Sequence, residues 1–157
     1  MGVSGSGKTL IGKKVAERLG GVFEDADDFH SAENKAKMSA SIPLTDEDRW
    51  PWYATLRARI EEMRKLTPVY VLACSALKEI YRERLRHTDS PAQMAFVLLS
   101  GTRELIHERL AARKGHYMPA TLLDSQIAIL EETPDLITLS VAQTPEAIVS
   151  EILAKLP

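Results

Sequence analysis

A chain of 157 residues has the size of one domain and is long enough to bury a core of its own. With 45% hydrophobic and 27% charged residues it has the composition of an ordinary globular protein. A formal charge of −2 excludes a general nucleic-acid binder, and no apolar run approaches the length of a membrane span. The single cysteine cannot form an internal disulfide, which fits a reducing, cytoplasmic setting.

The chain opens on MGVSGSGKT, in which Gly2, Gly7, Lys8 and Thr9 fill the fixed places of G-x-x-x-x-G-K-[ST]. Backbone N–H groups can surround a polyphosphate only where no Cβ atom blocks the approach. The helix that follows adds its dipole and its open amides. Gly2, Val3, Ser4, Gly5, Ser6, Gly7 and Lys8 therefore read as a cradle for ATP, with Lys8 on the β- and γ-phosphates and the Thr9 hydroxyl on Mg2+. The required helix is expected from Lys8, since Ile11, Val15 and Leu19 recur at helical spacing and Gly20-Gly21 supplies the stop.

Strand-like and helical runs then alternate. Strands are expected at 21–25, 69–74, 95–101 and 136–142, the second apolar enough to be buried on both faces. Helices are expected at 51–65, 78–86, from Thr102 to near Gly115, at 119–132, and from the Thr144-Pro145 cap onward. Such alternation predicts an α/β fold, a parallel sheet with helices on both faces. Ligands of such sheets lie at the carboxyl ends of the strands.

The polar groups after the strands are accordingly the candidates for chemistry. In EDADDFH, a carboxylate could align or deprotonate an acceptor hydroxyl. Alternation along an extended chain favours Asp25 and Asp27 over Asp28 as a pair, although an acidic turn can also be merely solvated. His30 could hydrogen-bond a substrate oxygen or be structural. In PLTDEDRWPWY, Thr45 and Asp48 have capping-box spacing and Pro51 suits a first helical turn. Arg49 is left over, as a surface residue or a bidentate partner for a carboxylate. Arg109 and Arg113 share one helical face, with Lys114 and His116 close behind. They complement a helix dipole, or form a lid that closes over the phosphates. Cys74 reads as a buried residue, and Trp50 and Trp52 as packing. No acid ends the 69–74 strand, which points to small kinases over motor or switch NTPases.

In joint order, GVSGSGKT, DADDFH, NKAKM, PLTDEDRWPW, CSALKEIYRERLR, RLAARKGHYM and LLDSQIAILEE resemble the gluconokinases of the thermoresistant type, nearly end to end. The resemblance implies a P-loop, nucleoside-monophosphate-kinase-like domain over 1–157 with a lid at about 109–122, in a family that is often dimeric. It implies transfer of the ATP γ-phosphate to D-gluconate. By position it makes Asp27 the base or hydroxyl aligner and His30, Arg49, Lys78 and Arg82 substrate contacts, with Arg109 and Arg113 in the lid. Ala26 replaces the usual glycine between the aspartates, at little cost unless a positive φ is required. Related kinases of shikimate or another sugar acid, and a nucleotide-binding module without chemistry, are the rival readings. Family members also carry an apolar strand just ahead of the first loop glycine, where only Met1 stands here. Four strands with a central gap are therefore expected, and Met1 is expected to be an internal methionine of a longer chain.

Overall fold

The structure is a computed structural model and describes residues 1–40, 42–90, 92–112 and 120–157. Helix α1 (Lys8–Leu19) begins where the glycine loop ends and stops at Gly20, whose left-handed backbone (φ 63°) turns the chain into the first strand. Then follow β1 (Val22–Asp25), a 3-10 turn (Ala26–Phe29), α2 (Ala32–Ser39), α3 (Asp46–Leu66) and β2 (Tyr70–Ala73). The second half comprises α4 (Glu79–Arg86), β3 (Val97–Ser100), α5 (Arg103–Ala111), α6 (Ala120–Ala128), β4 (Ile137–Ser140) and α7 (Pro145–Lys155).

β1 pairs in parallel with β2, Val22 opposite Tyr70, and β3 pairs in parallel with β4, Val97 opposite Ile137. Among the described residues no strand joins the two ladders. Met1 and Gly2 bridge them instead. The Met1 amine donates to Val97 O, its carbonyl accepts from Leu99 N at 3.0 Å, and Gly2 N donates to Ser75 O at 3.2 Å. One residue bonding to two partners two positions apart is the pattern of a parallel ladder. Met1 and Gly2 thus hold the carboxyl end of a strand position between β2 and β3. The rest of that position is a cavity of about 320 Å³, lined among others by Ile11, Val15, Val71, Ala73, Val97 and Leu99. The expected central gap is therefore present. It also explains why Tyr70, Val71 and Leu72 are only half-buried, against the expectation of a strand covered on both faces.

Alternate residues of β2 serve opposite cores. Val71 packs against a core built from α1, α7 and β4, including Ile11, Val15, Leu139, Val149 and Ile152. Tyr70 and Leu72 pack against a second core of Trp52, Tyr53, Leu56, Tyr81 and Leu85 from α3 and α4. Helices thus cover both faces, as the alternation predicts. Among the described residues no helix is long and apolar enough to cross a membrane.

Four helices differ from expectation, α5 among them in ending at Ala111 rather than near Gly115. α3 starts at Asp46 because the Thr45 hydroxyl accepts from Asp48 N and the Asp48 carboxylate accepts from Thr45 N, a complete capping box. Pro51 then lies inside the helix, where it forgoes one hydrogen bond. α2, capped by Ser31, was not expected, and α6 ends at Ala128 rather than near 132.

Candidate active site

The glycine loop has the shape its chemistry needs. Gly2, Gly5 and Gly7 all have positive φ, at 138°, 82° and 92°. A Cβ on Gly2 would stand 2.8 Å from the Leu99 carbonyl oxygen, so only glycine fits where the loop passes β3. Gly7 begins α1 with no side-chain cap, which leaves the first-turn amides aimed out of the helix. Lys8 folds its ammonium onto Val3 O at 3.0 Å, beneath the loop. Val3 and Ser6 are buried, and Ser6 Oγ has no hydrogen-bond partner among the described residues. Open amides, absent Cβ atoms and a lysine together fit a polyphosphate.

Asp25 closes β1 beside this loop. Its Oδ2 accepts from the Thr9 hydroxyl at 2.9 Å, and its Oδ1 accepts from Asp27 N at 3.2 Å. A hydroxyl and a carboxylate oxygen so placed suit a hard divalent cation. The extended alternation expected for Asp25 and Asp27 does not occur, because Asp25 caps the 3-10 turn that follows it. Ala26 lies in that turn without positive φ and is fully buried, so the missing glycine costs no strain. Asp27 has its pKa raised, first by partial desolvation and then by the charges of Asp25 and Asp28, with Lys8 opposing. Its side chain is 66% exposed, so solvent damps the effect.

His30 is buried against this acid. Its ring stacks on Trp52 with centroids 4.0 Å apart, and its Nε2 lies 3.9 Å from Asp27 Oδ1. Burial, then the charges of Arg49 and Lys35, push its pKa down to about 4, so the imidazole is neutral at physiological pH. Trp52 also donates its indole N–H to Ala26 O at 2.8 Å, which ties α3 to the turn carrying Asp27. Its packing role, read from sequence, is thereby a positioning role too.

The next residues form a cationic rim. Arg49, in the first turn of α3, donates Nε–H to Leu44 O at 3.3 Å and lies 5.6 Å from the Tyr81 ring centre. Lys78 Nζ lies 3.1 Å from both carboxylate oxygens of Asp46, to which Tyr81 also donates its hydroxyl. Those bonds, Tyr81 first and Lys78 second, hold the Asp46 carboxyl below its usual range. Asp46 and the contact of Gln126 with Ser4 (Oε1 accepting from Ser4 N at 2.7 Å) were not anticipated. The capping box marked the turn holding Asp46, but neither pairing has a local sequence signal.

Two expected contacts stand elsewhere. Arg82 is 1% exposed, with Nη1 on Ala76 O and Leu77 O at 3.1 and 3.0 Å and Nη2 on Glu131 O and Thr133 Oγ1 at 2.9 and 3.2 Å. Its guanidinium is spent clamping three segments, so it is not placed to meet a substrate. Arg109 donates to Val141 O at 2.5 Å, at the end of β4. Arg113, Lys114 and His116, with half of the expected lid, lie outside the described residues. Cys74 is buried and its thiol is pushed up to about 12, mainly by burial, which leaves it no nucleophile at neutral pH.

A parallel sheet, a glycine loop opening a helix, and an acid pair at the neighbouring strand end define a small P-loop kinase. The family model for shikimate kinase matches residues 4–157. A probable gluconokinase of Xenopus tropicalis is 45% identical over 97% of this chain and 88% of its own length. The thermosensitive gluconokinase of Escherichia coli is 49% identical over 83% of this chain and 68% of its own. A crystal structure of a gluconokinase from Sinorhizobium meliloti superposes with a TM-score of 0.87 at 45% identity, covering 99% of this chain and 88% of that one. The chain belongs to the gluconokinase family, within the shikimate-kinase-like P-loop kinases.

Proposed function

We propose that this chain phosphorylates D-gluconate, moving the γ-phosphate of ATP to the 6-hydroxyl to give 6-phospho-D-gluconate and ADP. The observation that carries this reading is the placing of Asp27 beside the Lys8 loop on one side and, on the other, beside His30, which feels the charge of Arg49. A sugar acid needs both, a carboxylate for its hydroxyl and a cation for its own carboxylate.

Residues 2–9 would hold the nucleotide, with the Thr9 hydroxyl and neighbouring Asp25 holding Mg2+. When bound, ATP with Mg2+ supplies the transferable phosphoryl group and part of the charge neutralisation. Lys8 stabilises charge that develops on the transferring oxygens. Asp27 aligns the acceptor hydroxyl and takes its proton, a task its raised proton affinity assists. Arg49 offers a planar guanidinium to the gluconate carboxylate, and Lys78 a second cation next to it. Arg113 is assigned to the lid that excludes water during transfer, while Arg109, bonded to Val141 O, ties α5 to the end of β4.

An ADP-release assay with D-gluconate, shikimate and nucleoside monophosphates in parallel tests this reading. Turnover with gluconate alone is expected, and Lys8→Ala should lower it by orders of magnitude, about 10²-fold or more. Preference for shikimate would favour the substrate of the matching family model instead. ATP binding with no acceptor phosphorylated would leave a nucleotide-binding module.

A further inference from the structure

Asn34 lies on α2 and is 6% exposed. Its Nδ2 donates to Asp48 O at 2.9 Å. A backbone carbonyl can only accept, so the amide nitrogen, not the amide oxygen, must face it. The same nitrogen lies 3.5 Å from His30 Nδ1 and has a second proton to direct there. His30 Nδ1 is thereby an acceptor and carries no proton. A neutral imidazole has one N–H, which must then be on Nε2. The Ser31 hydroxyl accepts from Asn34 N at 3.2 Å and holds the start of α2, while Trp52 fixes the ring plane of His30.

Nε2 faces Asp27 Oδ1 across 3.9 Å. That is too far for a hydrogen bond between them, yet a single oxygen about 2.8 Å from each fits the gap. We propose that Asn34 is a positioning residue that fixes His30 as an Nε2–H donor, and that this N–H and the Asp27 carboxylate grip one substrate hydroxyl between them. The oxygen accepts from His30 and its own proton points at Asp27. The donor then has a fixed direction without bringing a second charge to the site. The identity of the hydroxyl rests on the gluconate reading; the tautomer does not.

Nitrogen-15 NMR of histidine-labelled protein tests the tautomer directly, with the His30 signals identified by their loss in His30→Gln. The wild-type chain near pH 7 should show a pyridine-like Nδ1 and a pyrrole-like Nε2 for His30. Asn34→Asp puts only acceptors opposite Nδ1 and should move the proton to Nδ1. Asn34→Leu should leave the two tautomers mixed. Both variants should lower kcat/KM for gluconate by about tenfold, the worth of one hydrogen bond. A wild-type His30 protonated on Nδ1, or one tautomer common to wild type and Asn34→Asp, would overturn the proposal. The wild-type spectrum decides even if a variant fails to fold. Loss of gluconate turnover by the wild type would count against the kinase reading alone, because the spectrum is read without substrate.

Discussion

Asp27 shows how a single site residue can weigh against stability. Its ordinary pKa of 3.8 is raised in the folded chain, so the native state binds that proton more tightly than the unfolded one. Its contribution is therefore favourable at pH below 3.8 and is lost as pH rises through the higher folded value. At neutral pH the ionised carboxylate opposes folding. Asp27→Asn should raise the thermal midpoint slightly at pH 7 while lowering kcat by about 10²–10⁴-fold, measured by calorimetry and by ADP release. A variant that is less stable, or nearly as active, would remove Asp27 from the role given to it. The candidate was legible because an acid after a strand beside a P-loop has few other uses. Its partner was only half legible: Asp25 acts through Thr9 and through capping a turn, which alternation along an extended chain does not describe.

Elements were read best where their ends carry local chemistry. Gly20 stops α1, Thr102 caps α5 and Thr144 caps α7, each as expected from neighbouring residues alone. Thr45–Asp48 and Pro51 give competing signals for the start of α3, and the structure follows the capping box. α2 was missed because only Ser31 marks it, ahead of a short segment with little apolar face. Arg82 could not have been read correctly, since three of its four acceptors are backbone carbonyls, which any sequence supplies, and two lie near position 131. Arg82→Met should therefore destabilise the chain by about 2–4 kcal/mol in urea unfolding, leaving those acceptors unpaired, with KM for gluconate nearly unchanged. Unchanged stability with a raised KM would return Arg82 to the substrate site.

At the scale of the whole molecule, the two-strand halves meet through Met1 and Gly2 over a cavity of about 320 Å³. Burial, and then the charge of Lys8, push the Met1 amine down to about 5. Five apolar residues fused ahead of Met1 should replace the amine by a peptide bond and continue the parallel ladder into the cavity. Each side chain so buried is worth about 1.5–3 kcal/mol, so the thermal midpoint should rise clearly. A glycine-serine extension of the same length should not raise it, and equal midpoints would show that the slot accepts no strand. Met1 and Lys8 line the same cavity, so filling it should also steady the loop on which catalysis depends. The most direct measurement is a crystal structure of the protein with a non-hydrolysable ATP analogue, magnesium and D-gluconate. The phosphates should lie across the amides of residues 5–9, with the gluconate 6-hydroxyl within hydrogen-bond reach of Asp27 and in line with the terminal phosphorus. Phosphates bound away from the glycine loop, or a 6-hydroxyl remote from Asp27, would contradict the account.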